Sequence, residues 1–204
     1  IRLCFDGVDL LPTVVLFVGV LIQSSAEELA CRVFMYQRLR GAYARPAVAL
    51  VGNPALFAVL HLMNSGVTAL SVLNIFLVGL LFSMCVYYFN SFWMVAAIHT
   101  SWNFTQNILL GLPNSGNVVP FSIFKLEGAA DSLAYNVGFG IEGTALACVV
   151  LVAACVCVYV VGQRVGRHAA GYAGRISTCE STDGQVAGEL ADECGQSSSG
   201  DEIG

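Results

Sequence analysis

Charge is what this chain lacks. From Pro46 to Phe124 there is no Asp, Glu, Lys or Arg, and only His61 and His99 in that stretch take a proton readily near neutral pH. Over all 204 residues the charged share is 11%, against about 25% in soluble domains, while 56% are hydrophobic and the mean hydropathy is +0.73. Such a composition excludes an ordinary soluble domain and points to the lipid bilayer as the main partner. The net charge of −5 is concentrated in residues 163–204, where seven acids outweigh three arginines. The acidity therefore describes a tail, and no nucleic-acid partner is expected. Also missing are an HExxH zinc motif, any internal repeat, and a basic region ahead of the first apolar run. A start at Ile1, with Asp6 and Asp9 close behind, is expected of a fragment whose N-terminal part lies elsewhere.

Cysteine is not scarce, but its placement excludes a disulfide framework. Cys85, Cys148, Cys155 and Cys157 fall within apolar runs and read as small buried hydrophobes. Cys155 and Cys157 are two apart, so on a helix they point to different faces and do not form a metal pair. Cys179 and Cys194 are tail residues.

What is present is a series of apolar runs. At about 20 residues per crossing, five spans can be drawn, giving an all-α, polytopic transmembrane bundle as the fold class. The first runs from Leu10 to near Gly41 as one long helix and carries Glu27 and Glu28; the second runs from Pro46 to Met63, with Pro54 as a kink site. The others cover about Val67 to Phe89, Phe92 to Leu110 and Gly143 to Gln163. Tight turns at Asn64-Ser65-Gly66 and Asn90-Ser91 make the middle three antiparallel neighbours. Residues 111–142 form the one long connection, either loop or a short re-entrant helix. The domain is thus residues 1–163, and 164–204, rich in Gly, Ser, Ala and acids, has the composition of a disordered tail. His168 in that tail reads as solvated.

Short-loop arginines set the orientation. Arg38, Arg40 and Arg45, and after four spans Arg164 and Arg167, fall on one side, which makes that side and the tail cytoplasmic. Tyr87, Tyr88, Phe89, Phe92 and Trp93 flank a turn on the same side, where an interfacial aromatic belt is expected. The compact loops favour a bacterial plasma membrane.

Three patterns carry the chemistry: Glu27-Glu28-Leu29-Ala30-Cys31-Arg32, Phe57-Ala58-Val59-Leu60-His61 and His99-Thr100-Ser101-Trp102-Asn103. Each contains a pair at i, i+4 (Glu28 with Arg32, Phe57 with His61, His99 with Asn103) and so places that pair on one helix face. At about 1.5 Å per residue, Glu27, His61 and His99 lie within about 8 Å of a common depth. A buried ionisable group is costly, so this clustering predicts a site. A carboxylate can take a proton from water and return it to a leaving amine, imidazole can orient or deprotonate that water, and an Asn amide with a second imidazole can hold an oxyanion. Equally, Glu27, His61 and His99 could hold a divalent metal such as zinc.

At these residues the chain resembles the CPBP family of intramembrane proteases, which includes the type II CAAX prenyl endopeptidases and the bacterial Abi proteins. The family motifs EExxxR, FxxxH and HxxxN/D are matched by Glu27, Glu28 and Arg32, by Phe57 and His61, and by His99 and Asn103, over roughly residues 20–110. The resemblance implies an endopeptidase acting on a membrane-associated or lipidated peptide. It implies Glu27 as general base with His61, His99 and Asn103 on the oxyanion, and Glu28 and Arg32 in support. Val33 and Cys31 depart from the residues often flanking that arginine, which affects packing rather than chemistry.

Each residue also has a plainer reading. Glu28 and Arg32 form a self-neutralising pair that locks helix packing; Phe57 packs; His61 bonds between helices; Asn103, with Gln106 and Asn107, forms a polar packing stripe. Two other functions follow from such readings: a non-catalytic immunity or scaffold protein of the same fold, and a proton-coupled transporter. The transporter ranks last, since the repeats it would need are not found. Oligomeric state and substrate identity leave no mark on the sequence.

Overall fold

A computed structural model describes residues 2–165 of the chain; the tail assigned to 164–204, with Arg167, His168, Cys179 and Cys194, otherwise lies outside the described residues. The first span begins where Asp9 caps α1 (Leu10–Glu28) by accepting from the Leu11 amide. It continues through a π-helical segment (Leu29–Met35) into α2 (Tyr36–Ala42) without a break, so the single long helix is observed. Its 33 residues are more than a bilayer needs. Then follow α3 (Pro46–Leu60), α4 (Ala69–Phe89), α5 (Phe92–Asn103) extended by a second π segment (Phe104–Leu109), and α6 (Ala145–Val165).

Three of these helices, Leu10–Ala42, Ala69–Phe89 and Ala145–Arg164, are long and apolar enough to cross a membrane. The second expected span is shorter than drawn, for α3 ends at Leu60 and His61 is its C-cap. The cause is local: residues 61–66 turn, and Gly66 adopts φ 71 beside the Gly138 main chain. Pro54 lies inside α3 with its ring against Gly79 of α4, where the lack of a side chain permits the approach. The predicted turn at Asn90-Ser91 is present, with Asn90 left-handed at φ 48 and Ser91 capping α5 through the Met94 amide.

The central helix is α4, packed against both α3 and α6. It starts with a capping box between Thr68 and Ser71. At its far end Tyr88 is buried against α6, close enough that a Cβ at Gly162 would overlap the ring. Tyr88 is therefore a packing residue and not part of an interfacial belt, whereas Trp93, 77% exposed, fits that place.

Residues 111–142 contain no re-entrant helix. The segment includes β2 (Phe124–Glu127), which pairs antiparallel with β1 (Arg2–Phe5) in register Arg2 to Glu127, and ends in a 3₁₀ turn at Ile141–Gly143. This two-stranded ribbon, fastened by Lys125 to Asp6, is the one addition to an otherwise helical fold among the described residues. It escaped the sequence reading because each strand has only four residues and its partner lies at the other end of the domain.

Candidate active site

The two glutamates stand at the end of α1, just before the backbone widens into its first π segment. Such insertions are frequent at functional sites. The Cys31 carbonyl in that segment accepts from the Asn53 amide of α3, whose oxygen in turn accepts from Ser83 of α4 at 3.1 Å. Asn53 and Ser83 are wholly buried, so this polar bracket ties three helices where lipid offers no water to satisfy them.

Glu28 is fully buried, and its Oε1 accepts from Arg32 Nη1 at 3.1 Å and from His99 Nδ1 at 2.8 Å. The plainer reading of a self-contained Glu28–Arg32 pair is thus incomplete, because Glu28 also holds a histidine of another helix. Arg32 reaches the Gly79 carbonyl of α4 at 3.5 Å and lies over the rings of Phe57 (4.5 Å) and Phe82 (5.3 Å). A carboxylate can only accept, so His99 carries a proton on Nδ1. Its Nε2 faces Glu27 Oε2 at 3.8 Å, and the other oxygen of Glu27 accepts from Gln23 at 3.0 Å. Glu27 is partly exposed where Glu28 is not, which separates the two neighbours into a reachable and an enclosed carboxylate.

His61 stacks on Phe57 at 4.5 Å between ring centroids, and its Nδ1 lies 2.8 Å from the Phe57 carbonyl. A carbonyl cannot donate, so Nδ1 carries the proton of this bond and Nε2 is the nitrogen left for other contacts. Asn103 is buried, with its amide nitrogen 3.4 Å from Ser24 Oγ and its oxygen accepting from Asn114 at 2.8 Å.

Glu27, His61, His99 and Asn103 all line one cavity of about 650 Å³. Its lining also includes Phe82 and Cys31 from the helices, and Asn64, Ser115, Asn117 and Glu142 from the turns and the loop. Phe82 also belongs to a buried hydrophobic cluster with Tyr36, Ala49, Cys85, Val86 and Val95.

Glu142 and Asn114 were not singled out from the sequence. Glu142 Oε1 accepts from Trp102 at 2.7 Å and Gln106 at 3.3 Å, and Oε2 from the amide and hydroxyl of Ser115. The expected polar stripe of α5 is in part the anchorage of this loop. A lone acid immediately before an apolar helix was the available signal, yet its partners are scattered over 40 residues.

Among the described residues, no three His, Cys, Asp or Glu side chains converge as a metal would require. His61 and His99 each commit Nδ1 to a protein oxygen. That leaves Nε2 of each histidine as its remaining ligating nitrogen.

Comparison with known proteins is consistent with this geometry. The family model of type II CAAX prenyl endopeptidase Rce1-like proteins matches residues 9–105. This span includes all seven motif residues; it ends before Asn114 and Glu142. No curated protein and no solved structure matches the chain.

Arg32→Met tests the buried network. It leaves Glu28 with one partner, so unfolding in detergent should show a loss of about 3 to 5 kcal/mol. An unchanged midpoint would mean that the pair contributes nothing to the bundle.

Proposed function

We propose, from the premise that residues 9–105 are those of a Rce1-like type II CAAX prenyl endopeptidase domain, that this membrane protein is an intramembrane endopeptidase acting on a membrane-associated or lipidated peptide. The observation that carries the reading is the contrast between the glutamates: Glu28 is enclosed and doubly bonded, whereas Glu27 is partly exposed in a cavity that also receives His61, His99 and Asn103.

In this reading water sits between Glu27 and the free Nε2 of His61. Glu27 takes its proton as the water oxygen bonds to the peptide carbonyl carbon, and the carbonyl π electrons move to oxygen. The oxyanion accepts from Asn103 and from His99 Nε2, which for this role carries a proton as Nδ1 does. Collapse of the tetrahedral centre breaks the C–N bond, and Glu27 returns the proton to the leaving nitrogen.

The charges balance. With both nitrogens of His99 protonated, as its role in this reading requires, Arg32 and His99 offset two carboxylates, and transfer of the water proton to Glu27 leaves one positive charge opposite the oxyanion. In a site walled by Phe57, Phe82 and Val78 that complementarity is weakly screened.

Cleavage of an internally quenched peptide bearing a farnesylated cysteine and three further residues tests the assignment. Glu27→Gln and His61→Ala should each lower kcat by about 100-fold or more while membrane insertion is retained. Full activity in both variants would overturn the catalytic assignment of Glu27 and His61, and a parent chain that cleaves nothing would favour the non-catalytic scaffold reading. Because every step uses the chain's own residues, cleavage should persist in excess chelator, and purified protein should hold far less than one zinc per chain. A stoichiometric metal whose removal stops cleavage would reverse that expectation.

In this reading the arginine end is cytoplasmic, the cavity has its mouth at the end formed by residues 61–68 and 111–144, and substrates reach that mouth from the opposite side of the membrane. A charged maleimide applied to intact cells should then label Val118→Cys, and not Arg45→Cys, above the parent chain. The reverse pattern would place the mouth on the cytoplasmic face.

A further inference from the structure

We infer that Asn114, in the loop outside the matched family segment, is a positioning residue that sets the amide of Asn103 for its part in the reaction; this deepens the endopeptidase reading and rests on it. An asparagine side chain presents an acceptor on one side and a donor on the other, and a half-turn about its last bond exchanges them. Only one orientation of Asn103 offers N–H to an oxyanion.

Asn114 selects that orientation. Its Nδ2 donates to Asn103 Oδ1 at 2.8 Å. Turned over, Asn103 would set its own NH2 against that of Asn114. Ser24 Oγ, 3.4 Å from Asn103 Nδ2, takes one hydrogen of the correctly turned amide and leaves the second for the cavity that Asn103 lines. Asn103 and Asn114 are each 6% exposed, so water is poorly placed to replace the bond.

Asn114 is itself held. Its main chain exchanges two hydrogen bonds of 2.9 Å with Asn117. Next to it, Ser115 is gripped by Glu142, and the Ser115 carbonyl accepts from Asn64 at 2.9 Å. On its other side, the Pro113 carbonyl lies so near Gly140, at φ 91, that any Cβ there would overlap it. These contacts fasten the loop without using the Asn114 side chain, which is thus free to serve Asn103.

The test compares Asn114→Asp, isosteric but lacking the donor, with Asn114→Ala, each alone and combined with Asn103→Ala, in the full chain on the farnesylated reporter. Each single Asn114 variant should lower kcat by about 10- to 100-fold with KM nearly unchanged, and neither should cost anything further once Asn103 is alanine. Equal losses in both backgrounds would overturn the inference. Cleavage that survives Glu27→Gln would instead overturn the reading on which it rests.

A second readout needs no turnover. In the micellar chain labelled with ¹⁵N-asparagine, the Asn103 NH2 should exchange with D2O about tenfold faster in Asn114→Ala, and Trp102 emission in a Trp93→Phe background should stay unchanged because Glu142 still seats the loop. Equal exchange rates overturn the inference, and so does a shifted Trp102 emission, which would make Asn114 part of the loop's anchorage alone.

Discussion

Everything in this molecule is arranged around one buried carboxylate. Glu28 has no exposure, and an isolated charge there would cost several kcal/mol even after relaxation. Its Oε1 draws in Arg32 from the following helical turn and His99 from α5, while Arg32 extends to α4 and the Phe57 ring of α3. The first four helical spans thus meet around the Glu28–Arg32 pair. Helices in lipid have little hydrophobic reason to associate, and polar contacts of this kind, together with close packing at Gly79, specify which faces meet.

The same constraint divides labour between adjacent residues. Having committed its oxygen to Arg32 and His99, Glu28 orients the imidazole whose other nitrogen faces Glu27. Glu27, one position along, rotates by about 100° on the helix and emerges in the cavity. A π segment begins directly after this pair and another directly after Asn103, so two of the three helices that carry site residues widen just beyond them. To the side chains of these helices the loop adds amides and one carboxylate.

The bundle itself was legible because hydrocarbon imposes length and apolarity on any crossing helix. Charge-free runs and the turn at Asn90-Ser91 marked the elements to within a few residues, and the i, i+4 pairs placed Glu28 with Arg32 and Phe57 with His61 as observed. Two local points were not legible. His61 ends its helix instead of lying within it, because turn chemistry after Leu60 outweighs a run that is still apolar through Met63. Tyr88 left the interfacial group because a glycine on α6, distant in sequence, opens a place for its ring.

By itself the sequence determined that this is a helical membrane protein and which few polar side chains could do chemistry in it, since every ionisable group placed in lipid must have a partner or a purpose. Tertiary structure decided the partnerships. It gave His99 to Glu28 as well as Glu27, and brought Asn114 and Glu142 to the site from beyond the helices that carry the motifs. Helical spacing is a local rule read along one chain. Hydrogen bonds between a loop and three helices depend on where turns and glycines let backbones approach, and no local pattern records that.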